Sequence, residues 1–372
     1  MARWSKTAAF GMVAVMAVAA ACSKSSNNST SSSTTAASGP STPSTSAVTN
    51  KAALACMVTD TGGIDDRSFN ASSYQGLTDA HTADPNITTK YLQSTSQSDY
   101  VPNINSLIQQ KCNIVVTVGF LMGDATQAAA KANATQNFAI VDFNYSPALP
   151  NVKGLIFNTA QAGFQGGYLA AGMSKTGSVA TFGGIKLPTV TIYMDGFAEG
   201  VAYYNMKHNT SVKVLGWDEK AQNGTFTGDF TDQGKGKSVT QTFIQQGADV
   251  IFPVAGNVGL GAAAAVQQNG NGVKMLWVDT DGCVSAQQYC SLFISSVEKG
   301  IAVAVKGVVL DAAAGNFTGG NYVGTLANGG VGLAPFHNFD SQVPASLKTE
   351  LDQVKADIIS GAIKITSPSQ PS

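Results

Sequence analysis

Residues 53–76, ALACMVTDTGGIDDRSFNASSYQG, decide the fold class, because they join a short apolar run to a glycine pair and then to a helical pattern. The apolar run 53–58 has the composition of a buried strand, and Asp60 follows it closely. The glycines at 62–63 permit a tight turn, and the polar residues after them can cap a helix that begins near Phe69. The stretch therefore predicts a βα unit with polar side chains at the carboxyl end of its strand.

The same pattern continues through the chain, where short apolar runs alternate with helical patterns. Such alternation is typical of parallel α/β sheets, and 372 residues suffice for two lobes of this kind. In open α/β sheets, ligands bind at the carboxyl ends of the strands. The polar or glycine residues expected at those ends are Asp60, Gly119, Asp142, Gly256 and Asp279.

Composition argues against several classes of function. Lys and Arg total 22 against 23 for Asp and Glu, so the chain lacks the basic surface that nucleic-acid polymers require. The histidines His81, His208 and His337 are far apart and have no metal-ligand spacing. No G-x-S-x-G motif is present, and no carboxylate pair suggests acid and base roles. We therefore expect a protein that is not an enzyme and needs neither a metal nor a cofactor.

The amino terminus has the features of a secretory signal. Arg3 and Lys6 precede the uncharged stretch 7–21, which ends in small residues directly before Cys22. This arrangement is similar to a bacterial lipobox, in which the cysteine is acylated after cleavage. We expect a signal peptide over 1–22 and a protein held by lipid at the extracytoplasmic face of the cell membrane.

Residues 23–50 are almost entirely Ser, Thr, Ala, Asn and Pro, a composition that cannot build a core. We expect this segment to be a disordered tether between the lipid and a folded body that starts near residue 51. The membrane is then contacted only through the anchor.

Cysteine use fits an oxidising compartment, in which disulfides form. Cys56 and Cys112 begin two apolar runs that would be neighbouring strands, and Cys283 and Cys290 share one polar loop. Of the three possible pairings, these two neighbours are favoured, and the alternative is four buried thiols.

The run GGIDDRSFN at 62–70 resembles the most distinctive signature of the basic membrane protein family, the purine nucleoside receptor type of substrate-binding lipoprotein. Further blocks resemble that family in the same order along the chain: 138–142, 151–184, 195–201, 232–237, 247–262, 277–282 and 295–300. The resemblance implies the type I periplasmic-binding-protein fold, two Rossmann-like lobes joined by three crossovers. The expected lobes are 51–158 with 284–315 and 159–283 with 316–372.

The same resemblance implies a purine nucleoside ligand, adenosine, guanosine or inosine, and delivery to an ABC permease. A monomer is the default expectation for the oligomeric state. Phe69 and Phe230 match the positions that stack on the base, and Asn70 and Asp142 match those that read its edge. The segment before Phe230 is longer than in the family, so Phe226 and Trp217 are rivals for the second stacking position.

For the ribose, Asp60, Gly256, Asp279 and Lys299 match the family's positions. A carboxylate accepts from sugar hydroxyls, whereas an ammonium donates to them. Glu298 lies next to Lys299 in the sequence and is a candidate to neutralise it.

Other functions remain open at this point. A protein that binds a free sugar on the same fold is the nearest alternative, and dependence on the base separates the two. A surface adhesin or sensor belongs to another class and would need an exposed patch. A nucleoside hydrolase would be revealed by turnover.

Overall fold

A computed structural model describes residues 51–270 and 272–371. The described residues all belong to one compact unit. The predicted signal peptide 1–22, its Cys22 and the tether 23–50 lie outside the described residues. No helix within 51–270 or 272–371 is long and apolar enough to cross a membrane.

The strands follow the predicted apolar runs, and a further group appears towards the carboxyl terminus. In chain order they are β1 (Ala53–Thr59), β2 (Ile87–Gln93), β3 (Ile114–Val118), β4 (Asn137–Val141), β5 (Val152–Phe157), β6 (Ser178–Gly183), β7 (Lys213–Leu215), β8 (Trp217–Asp218), β9 (Asn223–Gly224), β10 (Val250–Val254), β11 (Lys274–Asp279), β12 (Phe293–Lys299), β13 (Gly320–Gly324) and β14 (Val331–Leu333).

Helices separate most of these strands. In chain order they are α1 (Phe69–Ala83), α2 (Tyr100–Gln109), α3 (Gly123–Ala132), α4 (Thr159–Met173), α5 (Pro188–His208), α6 (Gln233–Gln245), α7 (Val258–Asn269), α8 (Gly282–Ser285), α9 (Ile301–Ala313) and α10 (Ala345–Ser360). Helix α9 begins at Ile301, because Lys299 still pairs within β12.

Two sheets of six strands each, counted over the described residues, organise the fold. Their strand orders are β13-β5-β4-β3-β1-β2 and β14-β12-β11-β10-β6-β7. All pairings in the first sheet are parallel, and in the second only β12 with β14 is antiparallel. Each strand of one sheet thus has a counterpart in the other, which confirms the predicted α/β class with two Rossmann-like lobes.

Within the described residues the chain crosses between the lobes three times, after β5, after β12 and after β13. The expected lobe boundaries are wrong in two places. Phe293–Lys299 belongs to the second sheet rather than the first, and Gly320–Gly324 belongs to the first rather than the second. Short apolar runs do not encode which sheet they join, because both lobes bury similar side chains.

Helices α4 and α5 pack closely against each other. In α4 nearly every residue is buried, and small residues let it lie directly on α5. A Cβ at Gly167 would lie 1.9 Å from the carbonyl oxygen of Phe197, so only glycine permits this approach. The two helices therefore form one closely packed layer of the second lobe.

Both favoured cysteine pairs are disulfides in the structure. Cys56 in β1 is bonded to Cys112, just before the neighbouring β3, with the two Cα atoms 5.9 Å apart. Cys283 is bonded to Cys290 across one short loop of the second lobe. The pairing therefore links elements that are already adjacent in the fold.

Candidate functional site

A cleft of about 590 Å³, including its open mouth, lies where the carboxyl ends of strands from both sheets meet. Side chains from the two lobes line it together. Every residue expected to contact the base or the ribose is among them: Asp60, Phe69, Asn70, Asp142, Phe230, Gly256, Asp279 and Lys299. The lining also includes Asp66 and Tyr193, which sequence reasoning did not place there.

The turn between β1 and α1 builds a polar network on the first lobe. The Asn70 amide nitrogen donates to Asp60 Oδ1 at 2.7 Å and to Asp66 Oδ2 at 3.1 Å. Asp66 also accepts the backbone N–H groups of Ser68, Asn70 and Ala71, so Asp66, rather than Asp65 or Ser68, caps α1. The exposed Asp65 takes no part in this network.

Burial alters the acidity of these carboxyl groups. Loss of hydration raises the pKa of Asp66 to about 6, although the three backbone N–H groups oppose that rise. The pKa of Asp60 is also raised by burial, and the negative charge of Asp279 adds to the effect across the cleft. The hydrogen bonds from Gly62 and Asn70 act in the opposite direction.

Lys299 holds the two lobes together at the floor of the cleft. Its Nζ lies 2.7 Å from Asp142 Oδ2 on the first lobe and 3.7 Å from Asp279 Oδ1 on the second. The lysine side chain is 3% exposed, and each aspartate side chain is 8% exposed. The Tyr193 hydroxyl donates to the same Asp279 oxygen at 2.7 Å. A buried ion pair of this kind is costly to break, because one charge would then lack a partner.

Asp142 and Asp279 occupy equivalent places, one directly after β4 and the other at the end of β11. Both have a φ of 67°, in the left-handed region that residues other than glycine seldom adopt. Burial raises the pKa of Asp142, while Lys299 opposes the shift. Strained backbone at both ends of one ion-pair network is typical of a binding site.

Phe69 and Phe230 line the cleft from opposite lobes, and both are partly exposed. The rival aromatics are not part of this lining. Trp217 is buried with its Nε1 donating to Asp195, and Phe226 packs edge-on against it at 5.9 Å between ring centroids. The geometry therefore favours Phe230 as the aromatic side chain of the second lobe that faces a ligand.

A glycine makes room for Phe230. A Cβ at Gly184, directly after β6, would lie 2.3 Å from the Phe230 ring. Sequence reasoning did not single out Gly184, because the residue has no functional group and its role depends on a ring 46 positions later in the chain.

The charge of the cleft is unbalanced. Asp60, Asp66, Asp142 and Asp279 line it, and Lys299 is the only lysine or arginine among its lining residues. Such a cleft accepts hydrogen bonds from N–H and O–H groups and repels anions.

Near the cleft, Asp281, Cys283 and His337 lie close enough to suggest a metal site. Cys283, however, is already bonded to Cys290, so its sulfur is not a free ligand. His337 Nε2 instead pairs with Asp281 Oδ2 at 2.7 Å. Glu298 interacts electrostatically with this pair, whereas Lys299 pairs with Asp142 and Asp279.

The chain matches one family model and is similar to several known proteins. Residues 53–368 match the family model described as "ABC transporter substrate-binding protein PnrA-like". The chain is 31% identical over 344 residues to the "ABC transporter nucleoside-binding protein BmpA" of Lactococcus lactis subsp. cremoris, covering 88% of this chain and 92% of that protein. It is 29% identical to the "CD4+ T-cell-stimulating antigen" of Listeria monocytogenes, covering 87% and 90% respectively.

Among solved structures, the chain is similar to a solute-binding protein of an ABC transporter system from Aeropyrum pernix K1. The TM-score is 0.77 at 23% identity, covering 85% of this chain and 94% of the other. A transcriptional activator from Bacillus halodurans aligns with a TM-score of 0.67 at 18% identity. These similarities confirm the type I periplasmic-binding-protein fold.

Proposed function

The chain belongs to the PnrA-like family of ABC transporter substrate-binding proteins, and we propose that it captures a purine nucleoside between its lobes and delivers it to a permease. The proposal includes anchoring through Cys22 at the extracytoplasmic face of the membrane, with the cleft residues binding and no reaction taking place.

The observation that carries this proposal is the convergence of two aromatic rings and several hydrogen-bond acceptors in one cleft. In this proposal Phe69 and Phe230 enclose the base, and stacking on an aromatic ring contributes roughly 1–3 kcal/mol per base. Asn70 and Asp142 then face the edge of the base. A free sugar has no flat π face that would use both rings.

In this proposal the ribose binds to a second set of polar groups, distinct from Asn70 and Asp142. Asp60 and Asp279 come from different lobes, and the charge of Asp279 helps to raise the pKa of Asp60, which is a repulsion across the cleft. Hydroxyl groups that donate to both carboxylates would relieve this repulsion and favour closure. Lys299 and the backbone at Gly256 complete the proposed sugar site.

A direct hydrogen bond also joins the two lobes. The Nε1 of the buried Trp277, in β11, donates to the backbone oxygen of Arg67 on the first lobe at 3.1 Å. Such a bond adds to the stability of the closed arrangement, in which the permease would recognise the protein.

A thermal-shift panel tests the proposal on protein that has been unfolded and refolded to remove bound ligand. Adenosine, guanosine, inosine, uridine, ribose and glucose are compared at equal concentration. A ligand at about 100 times its Kd stabilises the folded state by roughly 2.7 kcal/mol. We expect purine nucleosides to raise Tm and ribose to leave it unchanged. A response to sugars alone would overturn the nucleoside assignment in favour of the free-sugar alternative.

A further inference from the structure

The amide of Asn70 has only one orientation that its surroundings accept. Its nitrogen donates to Asp60 Oδ1 and to Asp66 Oδ2, so both amide hydrogens are used. When both carboxyl groups are ionised, a flipped amide would place Oδ1 against two carboxylate oxygens, and three acceptors would face one another without a proton between them. The two aspartates therefore fix which atom of Asn70 remains for a ligand.

That remaining atom is Oδ1, which is buried and has no hydrogen-bond partner among the described residues. Asn70 itself is 2% exposed and lines the cleft. Leaving a buried acceptor without a partner is unfavourable, so a ligand N–H that reaches it is favoured.

Asp142 presents a second acceptor from the same lobe. Its Oδ2 accepts from Lys299 Nζ at 2.7 Å, which supports the ionised carboxylate and leaves Oδ1 for a ligand. On the proposed base-reading side, therefore, Asn70 and Asp142 both accept and neither donates.

We infer that this cleft selects guanosine over inosine and adenosine, and that Asp66 is the positioning residue for that choice by holding the Asn70 amide. The inference rests on the proposed function. Guanine offers two adjacent donors, N1–H and the 2-amino group. Hypoxanthine offers N1–H alone, whereas adenine presents the acceptor N1 between its C2 hydrogen and its 6-amino group.

Isothermal titration of the refolded protein with the three nucleosides tests the ranking. We expect guanosine to bind at least about tenfold more tightly than inosine and about a hundredfold more tightly than adenosine. Equal affinities, or tighter adenosine binding, would overturn this inference and leave the proposed function intact. If none of the three nucleosides bound, the proposed function and the inference would both fail.

The role of Asp66 is tested with Asp66→Asn, because an amide at this position can donate to a flipped Asn70. We expect the ratio of guanosine to adenosine affinity to fall at least fivefold. A residue that served only to cap α1 would weaken all nucleosides equally and leave the ratio unchanged, and that result would remove Asp66 from the selection.

Asp65→Asn is the matched control, since the exposed neighbour carries the same charge outside the network. It should leave the ratio as in the wild type. Asp142→Asn provides a second arm should Asp66→Asn fail to fold. It supplies a donor at the base edge and should shift the ratio towards adenosine, and an unchanged ratio would contradict the inference.

Discussion

The two lobes have the same strand order, yet they contribute different chemistry to the cleft. Strand β1 in one sheet and β6 in the other are counterparts. After β1 the chain places Asp60, Asp66 and Asn70 within eleven residues, and the Asn70 amide donates to both aspartates. After β6 it places Gly184, which makes room for an aromatic ring. The polar network of the first lobe thus consists of residues that are close in sequence. The cleft wall of the second lobe combines residues from segments that are distant in sequence.

The shared fold determines where the cleft side chains lie, whereas the turns after the strands determine which side chains are present there. Asp142 and Asp279 are the exception, since equivalent positions carry the same residue in the same left-handed backbone conformation. Both aspartates pair with Lys299, so one lysine joins the two otherwise different halves. Substitutions of Lys299, Phe69, Phe230 and Gly184, together with a pH series, test this contrast.

The largest expected effect comes from the lysine that joins the lobes. In Lys299→Met, the buried Asp142 and Asp279 lose their cation, and breaking such a pair costs about 3–5 kcal/mol. We expect that loss in the free energy of unfolding, measured by urea denaturation, together with at least about a hundredfold weaker nucleoside binding.

The exposed Lys131 at the end of α3 provides the control Lys131→Met. It should change the free energy of unfolding by less than about 0.5 kcal/mol. If Lys299→Met unfolded as the wild type does, the lysine would not join the lobes.

The local network of the first lobe should be visible in the pH dependence of stability. The pKa of Asp66 rises from 3.8 in the unfolded chain to about 6 in the folded protein. Its contribution to stability is therefore fully present below pH 3.8 and is lost as the pH rises through about 6. Between pH 4.5 and pH 7 the loss is roughly 2 kcal/mol.

The measurement is the free energy of unfolding of the wild type minus that of Asp66→Asn at each pH, which cancels the other titrating groups. We expect this difference to fall by roughly 2 kcal/mol over that interval. A flat difference would mean that the Asp66 carboxyl group is not the titrating member of the network.

The aromatic side chains of the two lobes should contribute about equally. We expect Phe69→Ala and Phe230→Ala each to weaken nucleoside binding at least about tenfold, because each removes one stacking face. Phe226→Ala is the control, since this ring packs on Trp217 rather than lining the cleft. Affinity lost in Phe226→Ala and retained in Phe230→Ala would exchange their roles.

The smallest effect is expected at the turn of the second lobe. Gly184→Ala places a Cβ 2.3 Å from the Phe230 ring and must displace it. We expect nucleoside affinity, measured by titration calorimetry, to fall about fivefold. Gly307→Ala, where a Cβ meets nothing within 4 Å, should bind as the wild type does. Equal affinity in both variants would show that the turn does not position the ring.

The sequence was sufficient to locate a cleft residue where that residue follows the apolar pattern of a strand. The strand-end residues Asp60, Asp142 and Asp279 could be placed at a cleft because each follows an apolar run. Phe230 needed the family resemblance, since its loop has no regular pattern.

What the sequence could not supply depends on contacts between distant segments. Asp66 and Asp65 are adjacent and identical, and only the fold shows that one is buried and the other exposed. Tyr193 looks like an ordinary core aromatic of a helix, whereas its hydroxyl reaches Asp279 across 86 positions. The exchange of Phe293–Lys299 and Gly320–Gly324 between lobes likewise follows from pairing, which composition does not specify.

The most direct test of the account is a crystal structure of the refolded protein with guanosine bound. The account predicts the base between Phe69 and Phe230, its N1–H and 2-amino edge facing Asn70 and Asp142, and the ribose hydroxyls between Asp60 and Asp279. A base outside the two rings, or a cleft in which only the sugar is held, would contradict it.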